Sequence, residues 1–234
     1  MAPRAIVIAI DGPAAAGKGT LARRLAAELS FACLDTGLIY RAVGMAVLNA
    51  GGDPTDEVAA SQAADQLNLA ELTDSAMQLA LRTDQAGQAA SQVAAIAAVR
   101  RSVLPLQQDF ARLPPGGQTG AVLDGRDIGT TVCPDAEIKL FVTAGLAARA
   151  HRRHQELLAR GVESIYDRVL EDMERRDAQD RDRAISPLVP AADAWRLDTT
   201  GLDAEQAFQH TLAHVLGCLA SLKRAPAVTT RAGD

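Results

Sequence analysis

Residues 5–20 read AIVIAIDGPAAAGKGT, and Thr20–Leu29 continues as TLARRLAAEL. An apolar strand-like run, a glycine-bearing turn ending in lysine and a helix-like stretch follow in the order of the G-x-x-x-x-G-K phosphate cradle. Gly12, Gly17 and Lys18 stand at its fixed places. Glycine permits positive φ and close approach, so successive backbone N–H groups converge on phosphate oxygens. The helix behind them aims its unsatisfied donors and positive dipole end at the same anion. Lys18 adds a mobile charge that can follow the β and γ phosphates. Gly12, Pro13, Ala14, Ala15, Ala16, Gly17, Lys18, Gly19 and Thr20 therefore read as a nucleoside triphosphate site.

Lys18 is followed by Gly19, and the first hydroxyl comes only at Thr20. A direct hydroxyl ligand for Mg²⁺ is missing at that position, while Thr20 can bond a phosphate. The Lys-Gly-Thr ending resembles the small nucleoside monophosphate kinases more than GTPases or large ATPases. That resemblance implies a metal held mostly by phosphates and waters with a carboxylate behind them, which suits Mg²⁺.

A chain of 234 residues suits one α/β core with an insertion, or two small domains. Apolar residues make up 48%, enough for a sizeable core, but aromatics only 3%, so alanine, leucine and valine must do most of the packing. The net charge of −5 gives no reason to expect a nucleic acid polymer or an anionic membrane as partner. Cys33, Cys133 and Cys218 are scattered without metal-like spacing and read as reduced residues of a cytoplasmic protein. No segment has the length or apolarity of a signal peptide or membrane span.

Five short runs read as strands: Ile6–Ile10, Phe31–Leu34, Ala121–Leu123, Ile138–Val142 and Trp195–Leu197. They finish in Asp11, Asp35, Asp124, Thr143 and Asp198, and in a parallel sheet such strand ends surround one crevice. Leu21, Leu25 and Leu29 mark the buried face of the first helix. Residues 36–101 exceed a simple crossover and read as an inserted substrate-binding region, and 147–165 as a short lid. The core then comprises about 1–35, 102–146 and 166–223, with a disordered tail over 224–234.

Further motifs face this crevice. LDGRDIG (Leu123–Gly129) places Asp124 behind a water of the metal shell and projects Arg126 and Asp127 side by side. In LDTGLIYRA (Leu34–Ala42), Asp35 and Thr36 can cap a helix that directs Arg41 at an incoming anion. ASQVAAIAAVRR supplies Ser91 and Arg100. Near the end, Asp180 with Arg176 and Arg183 forms one helical stripe able to serve a phosphate and a sugar. Arg152 and Arg153 are candidates for closing over the transferring phosphoryl group, with an exposed helix face equally compatible. His151 and His154 have no third ligand nearby in sequence and read as surface residues rather than a metal pair.

Together, GPAAAGKGT, LDTGLIYRA, ASQVAA…VRR, LDGRDIGT and RDAQDRDRAISPLVPAADA resemble the bacterial cytidylate kinases, from Ile6 to about Thr200. The resemblance implies a three-layer P-loop kinase fold with a five-stranded parallel sheet, an NMP-binding insert and a short lid. It also implies Mg·ATP-dependent phosphorylation of CMP and dCMP. Nothing in the sequence demands more than a monomer. Carried over by motif, Ser91, Arg100 and Asp127 resemble the cytosine readers. Arg41, Arg126 and Arg183 resemble the holders of the CMP phosphate, and Arg176 and Asp180 resemble the sugar contacts. Lys18, Arg126, Arg176 and Arg183 resemble the groups that stabilise the transferring phosphoryl. Thr36 stands where the family usually has serine, and Ala14-Ala15 where it often has Ser-Gly. Residues 67–88 look compressed where the family commonly makes small antiparallel strands. The residues by themselves leave open another nucleoside monophosphate kinase, for UMP or AMP, and a nucleotide-dependent switch. Against the switch stands the lack of an Asn-Lys-x-Asp guanine reader.

Overall fold

The computed structural model describes residues 4–224, so the expected tail lies, beyond Arg224, outside the described residues. In chain order the elements are β1 (Ile6–Asp11), α1 (Lys18–Leu29), β2 (Ala32–Asp35), α2 (Thr36–Asn49), α3 (Glu57–Asp65), α4 (Ser75–Ala80), α5 (Asp84–Val93), α6 (Ala97–Arg112), β3 (Gly120–Gly125), β4 (Ile138–Thr143), α7 (Leu146–Ala159), α8 (Tyr166–Asp182), β5 (Trp195–Asp198) and α9 (Ala204–Arg224). The five strands form one parallel sheet in the order β2-β3-β1-β4-β5.

β1 and β3 are buried along almost their whole length because helices cover both faces of the sheet. Side chains alternate across a strand. Val7 and Ala9 therefore enter one layer with Leu34, Leu123, Val43, Val93, Val99 and Val103. Ile8 and Ile10 enter the other with Leu21, Leu25, Val142, Phe208 and Val215. A third, smaller cluster joins α7 and α8 through Ala150, Leu157, Val169 and Met173, with Ala14 and Ala15 of the glycine-rich loop packed on it. Among the described residues no helix is long and apolar enough to cross a membrane.

Between β2 and β3 the regular elements are all helical. The stretch that looks compressed against the family's pattern holds a 3₁₀ turn (Leu69–Thr73), α4 and the start of α5. Short polar caps set these boundaries: Asp56 accepts from Val58 N–H and Ala59 N–H, Asp74 from Ala76 N–H, and Thr83 from Ala86 N–H. Residue 101, the expected end of the insert, falls inside the unbroken helix α6.

Parallel pairing lines up the carboxyl ends of the strands, with Asp35 opposite Asp124 and Asp11 opposite Gly125. Asp11 then fixes the turn after β3, its two carboxylate oxygens each accepting a backbone N–H at 2.8 Å, from Ile128 and Gly129. Burial raises the Asp11 pKa to about 6, while those two amides pull it back. Asn at this position offers one acceptor oxygen for two buried donors, a loss of about 1–3 kcal/mol. Asp11→Asn should accordingly lower the thermal midpoint by several degrees, at about 2–4 °C per kcal/mol for a chain of this size. An unchanged midpoint in a calorimetric melt would remove Asp11 from the support of this turn.

Candidate active site

The loop between β1 and α1 needs glycine at its start. A Cβ at Gly12, where φ is +147°, would lie 1.9 Å from the Val142 carbonyl oxygen. The loop closes at Gly17 (φ +94°), the N-cap of α1, which directs the helix N-terminus at the loop's hollow. Lys18 is buried; its Nζ donates to the Pro13 carbonyl at 2.8 Å and stands 3.9 Å from Asp124 Oδ1. Burial, with Arg126 adding to it, lowers the Lys18 pKa to about 8. Burial likewise raises Asp124 to about 6, with Lys18 opposing. The residue after Lys18 is glycine for a steric reason too: a Cβ there would crowd Asp124 Oδ2 at 3.2 Å and Arg23 Nη1 at 3.3 Å.

A cavity of about 690 Å³ opens over this loop. Ala14–Thr20 and Asp124 line one part; Arg41, Ser91, Arg126 and Arg176 line another. Gly12 and Pro13, at the start of the loop, are buried and are not on the cavity wall. Arg41 donates to the carbonyls of Leu81 (2.8 Å) and Thr83 (3.3 Å), which fixes its direction. The Arg41 and Arg176 guanidinium groups converge over Gly87: a Cβ there would lie 3.7 Å from Arg41 Nη2 and 3.4 Å from Arg176 Nη1. Burial, then the charge of Arg126, lowers the Arg176 pKa to about 10.

Asp180 is the counter-charge in this cluster. Its Oδ2 accepts from Arg126 Nε at 2.9 Å and its Oδ1 lies 3.7 Å from Arg183 Nη1. Burial works against the Asp180 charge, but Arg126, Arg176 and Arg183 together hold its pKa below the usual value. Arg183 was expected on one helical stripe with Arg176 and Asp180. It stands instead just past α8, in extended conformation, with Nε donating to the Ser186 carbonyl at 2.6 Å. Arg176 Nε and Arg183 Nη2 are buried without a hydrogen-bond partner among the described residues.

Thr36, Arg100, Asp127, Asp180 and Arg183 form a buried layer behind the cavity wall rather than its lining. Arg100 Nη1 donates to Asp127 Oδ2 at 2.9 Å and to the Tyr40 hydroxyl at 3.3 Å, and its Nε donates to the Ala94 carbonyl at 2.6 Å. Thr36 caps nothing: its hydroxyl donates to the Asp124 carbonyl at 2.8 Å, joining α2 to β3. Asp35 makes no cap bond either; it faces Arg82 at 3.6 Å and the cavity.

On the opposite side, Arg152 donates to the Thr199 hydroxyl (3.0 Å) and carbonyl, and Arg153 pairs with Asp84 and with Glu156. Both line the cavity. His154 bonds Ser164 at 2.9 Å, and no group of three or more metal-type side chains occurs among the described residues. Sequence reasoning missed Arg149 and Thr199, which hold the loop by its carbonyls (Arg149 Nη1 to the Ala14 carbonyl, 3.3 Å; Thr199 Oγ1 to the Ala16 carbonyl, 3.1 Å). Arg149 sits in an arginine-rich run with nothing to distinguish it from its neighbours.

The site thus has two anion-attracting poles, one of amides and lysine and one of guanidinium groups, facing one hollow. The family model described as Cytidylate kinase matches residues 8–216. A cytidylate kinase of Paramagnetospirillum magneticum is 60% identical over 208 residues, covering 88% of this chain and 95% of that protein. One of Rhodospirillum rubrum is 58% identical over 207 residues, again 88% of this chain and 95% of the relative. One of Xanthobacter autotrophicus is 55% identical over 210 residues, 90% and 97%. With the match running from β1 into α9 through both poles of the cavity, the chain belongs to the cytidylate kinase family.

Proposed function

We propose that the chain transfers the γ-phosphoryl group of ATP to CMP or dCMP, giving ADP and CDP or dCDP. One observation carries this reading: a single hollow joins Lys18 and the Gly12–Thr20 loop to Arg41, Arg126 and Arg176, with buried guanidinium nitrogens left unpartnered. ATP lies with its phosphates in the loop. The nucleoside monophosphate presents its phosphate to Arg41, Arg126 and Arg183, its sugar to Arg176 and Asp180, and its base to Ser91, Arg100 and Asp127. All these groups come from one chain.

Asp35 and Asp124, side by side on adjacent strand ends and both on the cavity wall, offer hard oxygen donors beside Lys18. They fit Mg²⁺ bound through phosphates and waters, and when bound with ATP it neutralises phosphate charge. Phosphoryl transfer requires in-line positioning and neutralisation of charge on the equatorial oxygens, more than a strong base. Lys18 moves from the Pro13 carbonyl to the phosphates, while Arg126 and Arg176 hold the acceptor oxygen opposite. Residues 147–165 act as a lid, in which Arg153 exchanges Asp84 for a phosphate oxygen and the closed hollow excludes water.

Cytosine offers an amino donor beside N3 and O2 acceptors. Asp127 accepts from the amino group and Arg100 donates to the acceptors; uracil would set O4 against the carboxylate. Initial rates with CMP, dCMP, UMP and AMP under Mg·ATP test the assignment directly, with the cytosine nucleotides expected to lead. A preference for UMP or AMP would reject it. Asp127→Ala should reduce the CMP-over-UMP ratio of kcat/KM by about 5- to 150-fold, the worth of about 1–3 kcal/mol; an unchanged ratio removes Asp127 from base reading.

Lys18→Ala should lower kcat by on the order of 10²–10³, the range of a lost charge-stabilising donor. A pH profile checks the same group without mutation. The Lys18 pKa is lowered to about 8, so its positive charge is present below that pH and lost above it. In the free enzyme kcat/KM for ATP should therefore bend down near pH 8, toward about tenfold per pH unit. A flat profile to about pH 10 would mean that the lysine charge is not what captures the triphosphate.

A further inference from the structure

The loop that binds phosphate through its N–H groups is also held by its carbonyls. Lys18 holds the Pro13 carbonyl, Arg149 the Ala14 carbonyl and Thr199 the Ala16 carbonyl. In a planar trans peptide the C=O and the following N–H point opposite ways. A donor that fixes the Ala14 carbonyl therefore fixes the direction of the Ala15 N–H.

Arg149 is placed and oriented for that task. It is 4% exposed and forms no part of the cavity wall. Its Nε donates to the Ala144 carbonyl at 2.8 Å, and its two terminal nitrogens meet the two oxygens of Asp177 at 3.1 and 2.5 Å. Such a fork-to-fork pair sets the plane of the guanidinium as well as its place. Arg149 is on α7 and Asp177 on α8, so the pair also bolts the two helices together beneath the loop.

The loop needs an external hold at this point. Ala15 has φ +56°, a left-handed conformation that an L side chain with a Cβ resists. The methyl groups of Ala14 and Ala15 also lie against the α7–α8 cluster of Ala150, Leu157, Val169 and Met173. Contacts from that helix pair thus keep the Ala14–Ala15 peptide in an orientation that it would not favour alone.

We propose that Arg149, oriented by Asp177, is a positioning residue for ATP: it holds the Ala14–Ala15 peptide so that its N–H faces the phosphates. This rests on the reading of Gly12–Thr20 as the ATP cradle. The expected signature is one-sided, because the partners of Arg149 are the Ala144 and Ala14 carbonyls and Asp177, none of which is assigned to CMP.

Calorimetric titration of the full chain with Mg·ATP and, separately, with CMP tests this. Arg149→Met, which keeps the apolar stem, should weaken Mg·ATP about tenfold and leave CMP within about twofold. Asp177→Asn should reproduce the ATP-selective loss at about threefold. Ala15→Gly removes the Cβ that opposes the left-handed conformation. In the Arg149→Met background it should therefore restore Mg·ATP affinity to within about threefold of the parent chain. A merely structural role predicts no such rescue. Equal weakening of both ligands, no weakening of Mg·ATP, or no recovery on adding Ala15→Gly would each overturn the proposal. Should Arg149→Met fail to fold, Asp177→Asn with and without Ala15→Gly makes the same comparison. A parent chain that bound no Mg·ATP would sink the cradle reading and this proposal with it; a parent that binds while Arg149→Met binds equally sinks this proposal alone.

Discussion

Guanidinium groups can be gathered around one hollow only if carboxylates stand among them, and Asp180 fills that role. It accepts from Arg126, lies 3.7 Å from Arg183 and feels the charge of Arg176, while its backbone carbonyl accepts from Leu188 N–H and so ties down the segment after α8. Removing one partner from such a buried set is far more costly than the set's net contribution to stability, since the others are left uncompensated. The compensation is nevertheless incomplete. Arg176 Nε and Arg183 Nη2 have no hydrogen-bond partner among the described residues, and the Arg176 pKa is lowered to about 10. On the proposed reading, the missing negative charge is what an anionic acceptor supplies, so stability at this pole and affinity for the ligand share one electrostatic origin.

The other pole works by a different means. There the attraction comes from peptide dipoles and a helix N-terminus, which carry partial charges in fixed directions, together with the full charge of Lys18. Fixed dipoles need fixed peptides. That explains why so much of the structure around the loop is devoted to its carbonyls, from Lys18 within the loop to Thr199 beyond β5 and Arg149 on α7. It also explains why Asp124, an acidic group, can sit beside an anion site: it is 3.9 Å from Lys18 and shares a strand-end register with Asp35, where a hard cation would be welcome.

The sheet was legible in the sequence because each strand is a short apolar run closed by a polar residue, and the cradle because its order of strand, glycines, lysine and helix is local. Boundaries in the region between β2 and β3 were not legible. Caps such as Asp56, Asp74 and Thr83 set them one turn at a time, with little apolar periodicity to reveal them. Motif resemblance could point to Arg100 and Asp127 but not to their bond with each other, nor to Thr36 donating across 88 positions to Asp124. Arg149 is an extreme case: its partner Ala14 is 135 positions away, and its own neighbourhood is a run of similar basic residues. What escapes sequence reading here is tertiary pairing, which depends on the crossing of elements rather than on the character of any one.

On the proposed reading, the placement of the base readers follows from what each pole must recognise. A phosphate can be held in a wet hollow by full charges. Cytosine differs from uracil only by the exchange of an amino donor and a ring acceptor for a carbonyl and an N–H, and water would satisfy either base equally. Arg100 and Asp127 are buried behind the cavity wall, locked to each other and to Tyr40 and the Ala94 carbonyl. A base reaching them leaves water behind, and a mispaired carbonyl and carboxylate then have nothing else to turn to. The same locking keeps the Asp127 carboxylate from turning to suit the wrong base. Discrimination between neutral bases is thus obtained from a dry, rigid layer, and capture of the charged phosphates from the open hollow in front of it.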